Sequence, residues 1–248
     1  RVNEMVESLK ISGVDPILTA IEEGRPVTRI LVLREAQSEA LDRLLVEASK
    51  RKLKVIEGSM NDLRRMANMP FNSNPPEALG LLHRDPSASI DEIMASGGLI
   101  WLLAGAQYPV NIGFAIRTIE VSGGSAVFVD ADLNSDGRKA SSRASMKADR
   151  FIPVKWMSWR EASDLARAHN YRIIGIEDSG DVEPWDADLK GRCMLVIGGE
   201  RHGISADLLQ ECDSIVKIPM RGFVPSYNLQ APLAVVAAEA LRQRRKNV

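Results

Sequence analysis

The sequence predicts an α/β protein with a mostly parallel sheet, preceded by a small α/β module. The 248 residues are 45% apolar, 26% charged and 5% aromatic, which is typical of a globular protein with a buried core. After residue 90, short and almost continuously apolar segments alternate with amphipathic helical patterns, as in a parallel sheet covered on both faces. A polar segment with a proline, residues 83–89 (HRDPSAS), separates two apolar regions. We therefore predict a linker there and two domains, 1–88 and 89–248.

In the first domain the hydrophobic period alternates between that of a helix and that of a strand. The pattern predicts helices over residues 16–21, 38–49 and 61–66, and strands over 29–33, 53–56 and 78–82.

In the second domain the pattern predicts a strand wherever an apolar run recurs. These strands cover residues 99–104, 126–129, 151–154, 171–176, 193–197 and 214–218. A final helix over 229–243 ends in a basic tail of Arg242, Arg244, Arg245 and Lys246. We interpret this tail as a cap of the helix C-terminus and an aid to solubility rather than as an RNA contact.

Charge and composition exclude several classes of protein. The 32 Lys and Arg residues balance 33 Asp and Glu residues, so a nucleic-acid partner requires a local basic patch. The longest apolar runs are too short to cross a bilayer and no charged leader precedes one, which favours a cytoplasmic protein without membrane contact. Cys193 and Cys212 lack the spacing of a metal site, and we expect free thiols and no metal.

Three segments at the ends of predicted strands, here called the chemical segments, are candidates for a functional site. The standard dinucleotide and P-loop fingerprints are absent. The first is residues 111–117 (NIGFAIR). Asn111 is a candidate helix cap, and Arg117 is expected to lie above Gly113 on one helix face, overlooking a hollow with a glycine floor. A capped helix with a surface arginine is the simpler interpretation.

The second segment is residues 197–204 (IGGERHGI). Its three glycines around Glu200 are expected to expose backbone groups to a flat polar ligand, and an ordinary loop is the alternative. The third is residues 218–229 (IPMRGFVPSYNL). Ser226 or Asn228 can cap the final helix, and because one cap suffices, the other side chain suggests a site for a hydroxyl or phosphate.

In this order and separation, the segments resemble the three signature motifs of the SpoU family of RNA 2′-O-ribose methyltransferases, also called the TrmH family. The resemblance to the catalytic domain covers residues 95–246, and the first domain more weakly resembles the substrate-recognition module of that family. It implies a C-terminal trefoil knot, S-adenosylmethionine as cofactor and a homodimer. Ala104, Tyr108, Tyr227 and Pro232 depart from the family pattern.

The resemblance also implies roles for individual residues. Catalytic roles fall on Arg117, Asn111, Glu200, Ser226 and Asn228, with Glu200 expected to hold Asn111. Contacts to the cofactor fall on Gly198, Gly199, Gly203, Ile218, Met220, Tyr227 and Asn228.

The implied function is methylation of a ribose 2′-hydroxyl in RNA. Large-subunit (23S) rRNA is the expected substrate because of the appended first domain, and tRNA is the alternative. A non-catalytic RNA-binding relative and a small-molecule enzyme with a new nucleotide site remain open. We expect phosphate contacts from two basic groups: Arg138, Lys139, Arg143, Lys147 and Arg150, and Lys50, Arg51, Lys52 and Lys54.

Overall fold

The computed structural model describes residues 9–224 and 226–245. Lys246 of the predicted basic tail and Pro225 of the third segment lie outside these ranges. Among the described residues, those up to Asp85 form one compact unit and those from Pro86 onward form another. The division falls inside the segment predicted to be the linker.

The first unit is a four-stranded mixed sheet in the order β1-β4-β2-β3. Strands β2 and β3 are parallel, and β4 is antiparallel to both β1 and β2. The elements are β1 (Lys10–Ser12), α1 (Val14–Glu22), β2 (Val27–Leu33), α2 (Glu39–Lys50), β3 (Lys54–Gly58), α3 (Met60–Met66) and β4 (Ala78–Leu82). The sequence pattern missed β1 because three residues are too few to show a period.

Side-chain caps fix where α2 and α3 begin. The Ser38 hydroxyl accepts from the Leu41 amide at 3.1 Å at the start of α2, and Ser59 and Asp62 form a reciprocal capping box at the start of α3. Ile17, Ile30, Leu44 and Leu82 are fully buried and lie in one cluster, so α1, α2, β2 and β4 all contribute to one core.

The second unit is a six-stranded sheet in the order β10-β8-β9-β5-β6-β7. Every neighbouring pair is parallel, which confirms the predicted fold class. The strands are β5 (Leu99–Ala104), β6 (Ala126–Asp130), β7 (Val154–Trp156), β8 (Arg172–Ile176), β9 (Cys193–Gly198) and β10 (Ser214–Val216). The helices are α4 (Ile90–Ser96), α5 (Pro109–Val121), α6 (Ser135–Ala144), α7 (Trp159–Ala168), α8 (Ala206–Gln210) and α9 (Gln230–Arg244), with a 3₁₀ turn at Ala148–Arg150.

The structure corrects the bounds of two predicted strands: one begins later along the chain than predicted, and the other is shorter than predicted. The strand predicted over 151–154 starts only at Val154, because the Phe151 amide closes the preceding 3₁₀ turn onto Ala148 and Pro153 has no amide to donate. The strand predicted over 214–218 ends at Val216, and the Lys217 amide instead donates to the Val182 carbonyl at 2.9 Å.

The central strand β5 is buried on both faces. Trp101 and Leu103 pack in the cluster that includes α5 and α9, whereas Ile100 and Leu102 pack in the cluster that includes α7 and α8. This alternation is the signature of a strand with helices on either side. Because β5 and β9 are adjacent and parallel, the segments that follow them emerge at the same edge of the sheet.

Candidate active site

The first two chemical segments meet where β5 and β9 end. Ala104 is paired with Gly198 at the last position of the ladder. The Glu200 carboxylate then joins the two segments, because Oε1 accepts from Asn111 Nδ2 at 2.8 Å and Oε2 accepts from the Gln107 amide at 3.1 Å. Glu200 thus makes the contact to Asn111 that the sequence analysis expects.

The same geometry corrects the expected role of Asn111 as a cap. Helix α5 begins at Pro109, with Tyr108 as its N-cap residue and no side-chain cap, so Asn111 is already inside the first turn. Pro109 suits this position because its missing amide would have no intrahelical partner. The Asn111 side chain is therefore available for Glu200.

The third segment is tied to the first through α9. The Asn228 carbonyl Oδ1 accepts from the Gln230 and Ala231 amides at 3.1 and 3.2 Å, so Asn228 rather than Ser226 supplies the cap. The Ser226 side chain is exposed. Gln230 Nε2 donates to the Asn111 backbone carbonyl at 2.9 Å. Sequence reasoning missed Gln230, for which the only signal is a polar side chain in the first turn of an apolar helix.

A hydrogen bond also joins the two ends of the loop before α9. The Tyr227 hydroxyl donates to the Pro219 carbonyl at 3.2 Å. Ile218 packs against the core, while Met220 and Tyr227 keep 37% and 49% of their surfaces exposed. The loop therefore presents two apolar side chains outside the core.

The three glycines of the second segment are explained by packing within the protein. A Cβ added to Gly198 would lie 2.0 Å from the Gly203 carbonyl carbon, and one added to Gly199 would lie 2.0 Å from the Gly105 carbonyl oxygen. Gly203 has a φ of 61°, and its amide donates to the Gly199 carbonyl at 3.1 Å. The loop thus folds back on its own strand, and contact with a cofactor stays a prediction for these glycines.

Glu177 is a further residue of this loop that sequence reasoning missed. It follows β8, and its Oε2 accepts from the Ile204 amide at 2.8 Å. A Cβ on Gly203 would come within 2.4 Å of the same oxygen. The available signal was a carboxylate placed directly after a buried strand.

Arg117 lies on the exposed side of α5. Together with residues of α9 it lines a groove of about 570 Å³, whose other residues are Phe114, Thr118, Val121, Ser122, Gln230, Ala234, Ala237, Ala238 and Leu241. Within residues 9–224 and 226–245 the guanidinium has no hydrogen bond or ion pair. The groove does not include Gly198, Ile218 or Tyr227.

The expectation that Gly113 floors a hollow beneath Arg117 is wrong. Gly113 is buried against α6, where a Cβ would lie 2.4 Å from the Ser141 carbonyl oxygen and 2.6 Å from Ala144 Cβ. The glycine therefore allows close approach of two helices rather than of a ligand.

Tyr108, one of the departures from the family pattern, makes a bond of its own. Arg201 Nη2 donates to the Tyr108 hydroxyl at 3.3 Å. This is a second link, after Glu200, between the residues that follow β5 and those that follow β9.

The predicted basic groups are partly neutralised inside the protein. Lys139 pairs with Asp136 at 3.5 Å, and Lys50 and Arg51 both pair with Glu47, at 3.4 and 2.9 Å. These neighbours hold the pKa of Glu47 below its usual value, chiefly through the Arg51 hydrogen bond. Arg138 instead stacks on the Trp156 ring at 4.5 Å.

The interpretation of the C-terminal tail needs correction for Arg244. Its Nε and Nη2 donate to the Leu189 and Gly191 carbonyls at 2.8 and 2.7 Å, so Arg244 anchors a loop rather than serving solubility. Arg242 pairs with Glu239 at 2.7 Å.

Three further findings concern metals, thiols and membranes. Cys193 and Cys212 are free, as predicted. Within the described ranges, no group of three or more His, Cys, Asp or Glu side chains could hold a metal ion. In the same ranges, every helix is too short or too polar to span a membrane.

Comparison with known proteins gives consistent results. The chain is 27% identical to a protein of Mycobacterium avium (strain 104) that is named as a tRNA/rRNA methyltransferase, over 96% of this chain and 79% of the relative. It is 32% identical to the 23S rRNA (guanosine-2′-O-)-methyltransferase RlmB of Xylella fastidiosa, over 62% of this chain and 63% of the relative. The crystal structure of the SpoU methyltransferase AviRb from Streptomyces viridochromogenes, in complex with AdoMet, superposes with a TM-score of 0.57 at 26% identity, covering 95% of this chain and 89% of that one.

The model of the SpoU rRNA methylase family matches residues 98–238, a range that holds all three chemical segments and the whole six-stranded sheet. The chain therefore belongs to the SpoU rRNA methylase family.

Proposed function

We propose that this protein transfers a methyl group from S-adenosylmethionine to a ribose 2′-hydroxyl of large-subunit ribosomal RNA. Family membership makes it an RNA methyltransferase, and the names of its relatives support the finer statement. One observation carries the proposal for this chain. Glu200, Asn111 and Gln230 link all three segments by hydrogen bonds, while the Arg117 side chain, about two turns further along the same helix, bonds to no residue in the described part of the chain.

The residues around the loop before α9 fit an adenosine-bearing cofactor. A flat base requires apolar surfaces and nearby backbone groups, and the exposed side chains of Met220 and Tyr227 supply the first. The backbone of Gly198 and Ile218 and the side chain of Asn228 would supply the polar contacts. When bound there, S-adenosylmethionine provides an electrophilic methyl group on a sulfonium.

Arg117 has the chemistry needed on the RNA side. A guanidinium is always protonated in proteins and presents a planar set of donors that match a phosphate. We assign it the task of holding an RNA phosphate and orienting the adjacent 2′-hydroxyl, so that positioning supplies much of the rate. Glu200 and Asn111 are positioning residues for the helix that carries it, and Ser226, whose hydroxyl no described residue engages, would contact the ribose.

A homodimer and a knot complete the proposal. Phe114 and Val121, on the groove that Arg117 lines, are 43% and 74% exposed, and a second copy packed against these two apolar side chains would leave the Arg117 guanidinium open to RNA at the edge of the interface. Threading of the segment before α9 through a loop would give the trefoil knot of the family. We also propose a cytoplasmic location, which two free thiols support.

Methyl transfer with labelled S-adenosylmethionine tests the function. Purified protein is incubated with 23S rRNA or tRNA, and 2′-O-methylation is read as resistance of the neighbouring bond to alkali. We expect label in 23S rRNA, none after Arg117→Lys, and cofactor affinity within a few-fold of wild type by calorimetry. Arg160→Ala, which removes an exposed partner of Asp207, is the matched control and should retain full activity.

Three outcomes would contradict the proposal. Full turnover by Arg117→Lys would remove the assigned role of the guanidinium. Label only in tRNA would move the substrate to the alternative class. Absence of cofactor binding at millimolar concentration would identify a non-catalytic RNA-binding relative.

A further inference from the structure

The first unit carries an exposed aromatic ring that no part of its core uses. Phe71 keeps 78% of its surface exposed. Met60 and Met69, on α3 and in the loop after it, are exposed by 44% and 37%. A single exposed apolar residue is ordinary, but here three lie on one helix and the loop that follows it.

Arg64 holds the Phe71 ring from one side. Its guanidinium carbon lies 5.4 Å from the ring centroid, within range of a cation–π interaction. Arg64 Nε donates to the Ser73 carbonyl at 2.9 Å and Nη1 donates to Asn61 Oδ1 at 3.0 Å. All three partners are neutral, and among the described residues no carboxylate lies within ion-pair distance of Arg64.

The loop that presents the ring is pre-organised. The Ser73 amide and hydroxyl both donate to the Pro70 carbonyl, at 3.1 and 2.6 Å, which closes a β-turn with Phe71 and Asn72 at its tip. Helix α3 leads into this turn through the Met69 amide, which donates to the Arg64 carbonyl at 3.0 Å. A ring fixed in this way loses little conformational entropy when it binds a ligand.

We propose that Phe71 and Arg64 form a stacking platform for an unpaired RNA base. The free face of the ring takes the base, and the Arg64 guanidinium lies against the other face. Aromatic rings combined with arginines are the common means of holding single-stranded RNA. Positive charge beside the ring favours RNA over an apolar protein partner. The proposal rests on RNA being the substrate.

Binding of a short U-rich single-stranded RNA to the full chain, followed by fluorescence anisotropy, tests the platform. We expect Phe71→Ala to weaken binding about tenfold, the scale of one lost base stack, and Phe71→Tyr to retain it. Val46→Ala, which trims a 55% exposed side chain of the same unit, should bind as wild type. Arg64→Ala should also weaken binding, whereas Arg43→Ala, which removes the exposed partner of Asp15, should have little effect.

A second readout separates stacking from simple charge. The fluorescence of 2-aminopurine in a labelled RNA should be quenched when the RNA binds the wild-type protein, but not when it binds Phe71→Ala. Equal affinity and equal quenching by wild type and Phe71→Ala would overturn the platform, as would self-association of the chain that Phe71→Ala abolishes.

The same preparations distinguish this inference from the proposed function. If the wild-type protein transfers methyl groups but Phe71→Ala does not change its affinity for RNA, the platform alone is refuted. If the wild-type protein binds RNA in a way that depends on Phe71 but transfers no methyl group, the proposed function is refuted and the platform remains.

Discussion

The hydrogen bond between Asn111 and Glu200 predicts a measurable coupling between two of the three segments. A hydrogen bond to a charged group contributes about 1.5–3 kcal/mol. Glu200 makes two such bonds, but the one to the Gln107 amide is exposed to solvent, so we expect Glu200→Ala to lower the free energy of unfolding by about 2 kcal/mol. Asn111→Ala removes only the shared bond and should cost about 1.5 kcal/mol.

The double variant removes that shared bond once, and should therefore cost about 2 rather than about 3.5 kcal/mol, a coupling of about 1.5 kcal/mol. Urea unfolding followed by tryptophan fluorescence is the suitable assay. All four tryptophans lie in the second unit, so the signal reports that unit alone and does not mix two transitions.

The exposed pair Arg160 and Asp207, with side chains 67% and 68% accessible, is the control, because such pairs couple by less than about 1 kcal/mol. Costs that simply add in the Asn111 and Glu200 double variant would show that their bond does not stabilise the site. That result would refute the reasoning that makes Glu200 a positioning residue.

Other predictions follow from single contacts. Gly199→Ala should lower the free energy of unfolding by about 3 kcal/mol or more, because its Cβ would overlap the Gly105 carbonyl. Gly222→Ala, where a Cβ meets nothing within 4 Å, should leave the free energy of unfolding unchanged. Equal urea midpoints for the two variants would contradict the predicted overlap at Gly199. Glu177→Ala should weaken cofactor binding in calorimetry more than Glu177→Gln, which keeps an acceptor for the Ile204 amide; equal affinities would exclude a role in shaping the loop. Burial raises the pKa of Cys212 to about 11, while the unfolded thiol ionises near 9.0. The unfolded chain therefore loses its proton first, and stability should fall from about pH 9 to about pH 11. Cys212→Ala should reduce this fall in urea titrations, and an unchanged slope would count against the burial argument.

Periodicity predicted most of the architecture because the second unit buries its strands on both faces. Strand β5 matches the predicted 99–104 residue for residue, since all six residues are apolar and glycines bound the run. The prediction failed where backbone hydrogen bonds rather than hydrophobicity decide the outcome. The Phe151 amide and the Lys217 amide each donate to a carbonyl outside the predicted strand pairing. A hydrophobic pattern does not show which partner a backbone amide will take.

The candidate site could be predicted as a set of residues but not as a set of contacts. The motif pattern identified Asn111 and Glu200, and the polar pair before α9 included the true cap, Asn228. Gly113 was misinterpreted because a glycine that admits a helix and a glycine that admits a ligand look the same in sequence. Gln230 and Glu177 were missed because each acts through a backbone group more than 25 residues away.

The distribution of hydrogen bonds across the site supports the role proposed for Arg117. Glu200, Asn111, Gln230 and Asn228 each use at least one side-chain polar atom in a hydrogen bond within the protein, and this network fixes the start of α5 against the ends of two strands. Arg117 is carried by the same helix, further along it, with its charge unneutralised by any described residue. A rigid helix with one unengaged guanidinium is what electrostatic positioning of a phosphate requires, because no existing bond must break when the RNA arrives.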